Sequence, residues 1–175
     1  MKRADYLKLL TLLHQVEVKS LAEIGVWAGF NAFELRQLFP EAHLYLIDPW
    51  ELTPNYLEDG LSPAIDPYQF QQAYECTRSL FRDDQNVTIL KKNSTDALTE
   101  VPNHLDLVFI DGNHSYRAVK DDIQNWRRKI RRGGLLTGHN YHPNFPGVIR
   151  AVHSYLKDQF QIGEDTIWFT QVETG

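Results

Sequence analysis

Cysteine is almost missing from this 175-residue chain: Cys76 is the only one. An internal disulfide framework is thereby excluded, and a lone thiol suits a reducing compartment. A small core or surface side chain is a simpler role for Cys76 than a nucleophile. An excess of positive charge is lacking too. The formal net charge is -5 and the pI is near 5.8. Nucleic-acid proteins normally rest their affinity on a basic face, so that class is set aside. No apolar run approaches the length that crosses a bilayer, and the segment from Met1 to Leu7 has no long apolar core of a signal peptide. Repeats, low-complexity tracts and linkers are missing as well. With 42% hydrophobic residues, the expectation is one globular domain over residues 1–175, cytoplasmic, with neither a nucleic-acid nor a membrane partner.

The Gly-x-Gly-x-x-Gly of dinucleotide-binding turns is also absent. In its place residues 21–39 carry Glu23-Ile-Gly25-Val26-Trp-Ala-Gly29. We read a buried strand from Leu21 to Val26, a tight turn at Gly25 and Gly29, and a helix opening at Asn31. Asn31 with Glu34 three residues on is close to a capping box, and Pro40 ends the helix. A strand, a glycine turn and a helix N-terminus let a ligand lie against bare backbone. Glu23 would repel a pyrophosphate and would welcome an amino group or a sulfonium.

The remaining elements alternate. Residues 4–16 place Leu7, Leu10 and Leu13 at helical intervals and predict a short amphipathic helix against the sheet edge. His43 to Ile47 reads as a strand that delivers Asp48, nineteen residues past Gly29, at its carboxyl end. A carboxylate there suits ribose hydroxyls, and the alternative is an Asp-Pro turn. Residues 50–66 are rich in proline and turn formers, and long ordered loops are usually functional. Trp50, Tyr56 and Asp66 either line an acceptor pocket or belong to a flap without chemistry. A helix from Pro67 to about Arg82 follows, then a strand from Asn86 to Leu90 and a short helix opening at Ser94. Ser94 either reaches a purine ring or simply caps that helix.

Leu105 to Ile110 is a nearly continuous apolar run, as central parallel strands tend to be, and leads into Asp111-Gly-Asn-His114-Ser115. Ser115 caps a helix whose Val119, Ile123, Trp126 and Ile130 share a face. The basic run from Arg127 to Arg132 reads as that helix's last turn, with Gly133-Gly134 as its stop. Leu135 to Gly138 is a fifth strand and passes to His139-Asn140-Tyr141-His142. A helix from Gly147 to about Lys157 and a hairpin of 160–162 with 166–171 complete the chain. The fold class is therefore α/β, a doubly wound Rossmann-like sheet. It should have about seven mostly parallel strands, an antiparallel C-terminal strand and helices on both faces. Ligands of such sheets bind outside the strand carboxyl ends, where all these polar residues fall.

Together, Glu23-Ile-Gly25 through Gly29, Ile47-Asp48, Phe109-Ile-Asp111-Gly-Asn-His114, Asp122 through Trp126, and Gly133 through Tyr141 resemble the class I S-adenosylmethionine-dependent methyltransferases. The chain is similar to their small-molecule O-methyltransferase group, relatives of the macrolide-sugar and catechol enzymes. The resemblance covers almost everything from residue 20 on. It implies that Gly25, Val26 and Gly29 meet the methionine part of the cofactor, with Glu23 supporting the turn or the amino group. It places Asp48 at the ribose, Ser94 by the adenine and Asp111 next to the sulfonium. His114 is the candidate base, since histidine titrates close to working pH; a structural loop histidine is the alternative. In metal-dependent relatives the positions of Asp111, His139 and Asn140 bind a divalent cation. The pattern there is an Asp-Asp or Asp-Asn pair: His139 departs from its acid, Asn140 departs from the His-Asp-Tyr of the nearest group, and one carboxylate makes a poor Mg²⁺ site. His114, His139 and His142 would suit a softer ion. The expected partner is a small-molecule acceptor, a sugar or polyhydroxylated metabolite, and a homo-oligomeric partner that completes the pocket is left open. A binding protein whose transferase activity has decayed, and a nicotinamide-dependent oxidoreductase, are the competing readings.

Overall fold

A computed structural model describes residues 1–51 and 66–173. Among the described residues seven strands form one sheet in the order β3-β2-β1-β4-β5-β7-β6. They are β1 (Ser20–Ile24), β2 (His43–Asp48), β3 (Val87–Lys91), β4 (Leu105–Ile110), β5 (Ile130–Gly138), β6 (Gln161–Ile162) and β7 (Trp168–Gln171). The first five are parallel to their neighbours, while β7 runs antiparallel to β5 and to β6. Every residue of β4 is buried, as befits a strand covered on both faces. Tyr56 and most of the 50–66 segment lie outside the described residues.

Period-two alternation splits the strands between two apolar layers. Leu21, Leu44, Leu107, Phe109 and Leu135 face α1 (Arg3–Leu13), α2 (Phe30–Leu38) and α3 (Pro67–Leu80). Ala22, Ile47, Val108, Ile110 and Leu136 face α4 (Ser94–Ala97), α5 (Tyr116–Arg127) and α6 (Pro146–Leu156). Local sequence explains most boundaries. Asp66 accepts from the Tyr68 amide in a full capping box with Gln69, and Pro67 opens α3. Ser115 caps α5 by accepting from the Ala118 amide at 3.2 Å.

Three local expectations are corrected. Helix α2 opens at Phe30 behind Gly29, whose φ is 81°, and Asn31 is not its cap. The Asn31 amide is drawn instead to Glu23, and Glu34 pairs with Lys2 at 2.6 Å. Helix α5 ends at Arg127, and Ile130 already begins β5, so Gly133 and Gly134 lie inside a strand rather than stopping a helix. The register with β4 slips there, between Leu105 and Leu107, and Arg131 turns to Asp106. Helix α1 does not pack at a sheet edge. It lies over the middle of the sheet, with Arg3 near Phe109 of β4 and His14 near Gln171 of β7. This orientation carries the first turn of α1 to the carboxyl ends of the central strands.

Candidate active site

The switch in strand order falls between β1 and β4, where successive connections leave on opposite sides and open a cleft. A cavity of about 730 Å³ lies there, lined among others by Gly25, Asp48, Ser94, Asp111, His114, His139 and Asn140. That volume is ordinary for a cofactor together with its co-substrate. Of the sequence candidates, Glu23, Val26 and Gly29 stand behind this wall rather than in it. His142 is exposed and its Nδ1 accepts from the Asn144 amide at 3.2 Å, away from the other histidines' cleft. Trp50 and Asp66 do not line the cleft either: Trp50 is buried and donates from Nε1 to the Trp27 carbonyl at 2.7 Å.

The turn after β1 is shaped by its neighbours. A Cβ on Gly25, at φ 87°, would sit 2.2 Å from the Asp111 carbonyl oxygen, so the β1 and β4 ends approach only because that residue is glycine. Trp27 is held at φ 52°, unusual for a bulky residue. Its carbonyl accepts from both Trp50 Nε1 and Thr77 Oγ1, and its amide donates to Asp48. Asp48 Oδ2 takes the Val26 and Trp27 amides, each at 2.9 Å, and Oδ1 takes the Trp50 amide at 2.7 Å. Three of a carboxylate's roughly four acceptor positions are thus spent on backbone, and one is left for an incoming hydroxyl. Burial pushes the Asp48 carboxyl up, against the pull of those three amides.

Beneath the turn Glu23 is fully buried. Its Oε1 accepts from Asn31 Nδ2 at 3.0 Å, while Oε2 has no hydrogen-bond partner among the described residues. Burial, opposed by the Asn31 bond, pushes its carboxyl from the ordinary 4.5 up to about 8. Across the cleft, Ser94 donates its hydroxyl to Asp122, whose carboxyl burial raises to about 7. Sequence reading placed Ser94 there and passed over Asp122, which sits on the buried face of α5 beside Ile123. A charged residue among apolar ones on that face was the available signal.

The third wall is a polar cluster. His114 Nε2 lies 3.5 Å from Asp111 Oδ1 and 2.9 Å from Asn140 Nδ2. His139 Nδ1 lies 3.3 Å from the same Asp111 oxygen. Arg3 donates from Nη1 to Asp111 Oδ2 at 2.6 Å. Burial would raise the Asp111 carboxyl, but bonds from His114 and His139 and the charges of His139 and Arg3 outweigh it and hold it below the ordinary value. Arg3 has no signature in the sequence, because helical periodicity identifies an apolar face without saying where the helix docks.

A family described as "Methyltransferase domain" matches residues 22–141 of this sequence, from the strand that carries Glu23 to the segment after β5. The chain belongs to the methyltransferase-domain family. Among solved structures, this methyltransferase-domain fold is similar to the O-methyltransferase NovP, with a TM-score of 0.72 and 21% identity over 98% of this chain and 80% of that one. It is similar too to the O-methyltransferase TomG from Streptomyces achromogenes in complex with SAM, with a TM-score of 0.69 and 18% identity over the same shares. A curated relative, uncharacterized protein R132 of Acanthamoeba polyphaga mimivirus, is 31% identical over 106 residues, 57% of this chain and 48% of that protein. The chain spans less than half the length of the curated relatives it matches. No helix among the described residues is long and apolar enough to cross a membrane.

The residues present fit S-adenosylmethionine better than they fit a metal. Asp48, which lines the cleft and keeps one acceptor position unused by backbone, is the kind of group that a cofactor's ribose hydroxyl completes. The set Asp111, His139 and Asn140 does not fit a divalent ion as it stands, because Asp111 already turns one oxygen to a guanidinium and the other to two imidazoles. Among the described residues no three His, Cys, Asp or Glu side chains are grouped to hold a metal ion.

Proposed function

We propose that this methyltransferase-domain protein methylates a hydroxyl oxygen of a small molecule, a sugar or polyhydroxylated metabolite, with S-adenosylmethionine as donor. The observation that carries this reading is the meeting, in one cleft, of the glycine turn over Glu23 with the Asp111–His114–Asn140 cluster. The bound cofactor would supply an electrophilic methyl group, for which alignment with the acceptor is most of the catalysis. Gly25 and the Val26–Trp27 amides would border it, Asp48 would use its remaining acceptor position on a ribose hydroxyl, and Ser94 with Asp122 would face the purine.

The acceptor's proton needs somewhere to go, and His114 offers a place in either state. Protonated at Nε2, it donates to Asp111 Oδ1; deprotonated there, it accepts from Asn140 Nδ2. A side chain with a partner before and after proton transfer suits a general base. The aromatic pair Trp27 and Phe70, whose ring centroids are 5.3 Å apart, borders the same cleft and supports a flat apolar contact for the ligand. We keep the further readings that the chain forms one domain and works in the cytoplasm, the latter on its single thiol.

Isothermal titration with S-adenosylmethionine tests the proposal. Saturable binding near one equivalent is expected, and a folded protein that evolves no binding heat and gains no thermal protection would overturn it. Binding without turnover over a broad panel of hydroxylated acceptors would leave only the reading of a decayed, cofactor-binding protein.

A further inference from the structure

Arg3 is held by groups from three separate parts of the chain. Its Nη1 donates to Asp111 at the end of β4, and its Nη2 lies 3.3 Å from His139 Nε2 beyond β5. Among the described residues its Nε finds no hydrogen-bond acceptor, but it lies 3.6 Å from the Asp165 carboxylate between β6 and β7. Its Cζ sits 5.9 Å from the centroid of the Phe109 ring. The turn that supplies Asp165 is strained: Asp165 and Thr166 have φ of 52° and 57°. Non-glycine residues adopt such angles only where the surroundings over-determine them. Here the Thr166 carbonyl accepts the Tyr141 amide at 3.0 Å, and Gly163 passes so close to the Tyr6 hydroxyl of α1 that a Cβ would collide with it. Helix, strand end and turn all converge on one cation.

That cation sits where the sequence suggested a metal. Asp111 Oδ2 faces the guanidinium, and His139, the other candidate ligand, spans from Asp111 at 3.3 Å to Asp165 at 3.4 Å. Two carboxylates around one guanidinium leave the cluster with one uncompensated negative charge when the histidines are neutral. A monocationic methyl donor balances that charge, whereas a dication placed beside Arg3 would meet a like charge at short range.

We propose that Arg3 is the resident cation of the acceptor pocket, filling the position that Asp111, His139 and Asn140 would otherwise offer to a divalent ion. In this arrangement the acceptor's O–H bond breaks, the proton passes to His114 Nε2 and the electron pair stays on oxygen, which faces the Arg3 guanidinium. Of the acceptors proposed above, a polyhydroxylated metabolite whose hydroxyl is acidic enough to ionise beside one fixed positive charge, with no metal in the pocket, then fits better than a plain sugar. The acceptor part rests on the methyltransferase reading; the cation part does not.

The test is therefore made with Mn²⁺ alone, followed by the paramagnetic resonance signal of the free ion, on the whole chain without cofactor. The wild-type protein and Arg3→Lys are expected to leave the signal unchanged. In Arg3→Ala the Asp111 and His139 side chains lose their guanidinium partner and are free to turn towards an ion, and uptake of Mn²⁺ is expected to be at least about tenfold tighter. Arg3→Gln removes the charge but keeps a polar stem, and replaces the alanine variant if that one does not fold. Uptake by the wild type as tight as by the variants would overturn the proposal, because the guanidinium would then exclude nothing. Variants as indifferent to Mn²⁺ as the wild type would overturn it too, because the cluster would be no cation position. Neither result touches S-adenosylmethionine binding, so failure here and failure of the methyltransferase reading are told apart by the titration described above.

Discussion

Replacing Glu23 with glutamine should stabilise the protein, by an amount that grows with pH. Glu23 is fully buried, keeps one bond from Asn31 and has an unpartnered second oxygen, and burial lifts its carboxyl from 4.5 to about 8. A carboxyl raised in the folded state binds its proton more tightly there than in the unfolded chain. Its contribution is complete below pH 4.5 and is lost as pH rises to about 8. Each pH unit across that window is worth about 1.4 kcal/mol. Glutamine has no proton to lose, keeps an oxygen for Asn31 and places an amide where the protonated carboxyl would be. The variant should match the wild type near pH 4.5, exceed it by about 3 kcal/mol at pH 7, and exceed it by about 5 kcal/mol above pH 8. Asp122 is raised as well, to about 7. It lowers the stability of both proteins equally over its own window, so it cancels in the difference. Urea denaturation at a series of pH values reads the effect. A difference that does not change with pH, or a variant less stable at pH 8.5, would mean that burial does not raise the Glu23 carboxyl in the folded protein, and the reasoning would fail.

Asp48→Asn should lose about 1–3 kcal/mol of stability, since an amide cannot accept all three backbone N–H groups, and should weaken S-adenosylmethionine binding in the same calorimetric titration. His114→Gln should leave cofactor affinity within about twofold while turnover falls by about 10²–10⁴; a matching collapse of affinity would assign His114 to the cofactor instead. Gly25→Ala should lower the melting temperature sharply or prevent folding, because its Cβ would lie 2.2 Å from the Asp111 carbonyl; unchanged melting would refute the close approach of β1 and β4.

Much of this fold was legible, and the reasons are local. Strand β4 is an unbroken apolar run, α5 repeats its apolar residues at helical spacing behind Ser115, and the glycines at 25 and 29 announce a turn; all three act over a few residues. Asp48, Asp111 and His114 were findable because strand carboxyl ends in an alternating α/β chain gather at one rim. The residues that escaped depend on contacts across the chain. Asn31 follows the local rule for a helix cap, yet Glu23 buried eight residues earlier claims its amide. Gly133-Gly134 has the form of a helix stop, but the slip of β5 against β4 absorbs it into a strand. Arg3 belongs to a helix whose docking position is set by Leu7, Leu10 and the sheet beneath, so nothing near residue 3 announces its partners.

The placement of α1 also bears on how the molecule is made. Arg3 meets Asp111 and His139 across 108 and 136 residues of intervening chain. During synthesis the arginine emerges long before Asp111 and His139, and it waits for its carboxylate until β1 to β4 have been translated. The early strands and helices can collapse locally as they leave the ribosome, whereas this ion pair closes only after long-range order is in place. Closure of this cluster at the cleft is therefore expected to trail compaction of the nascent polypeptide rather than accompany it.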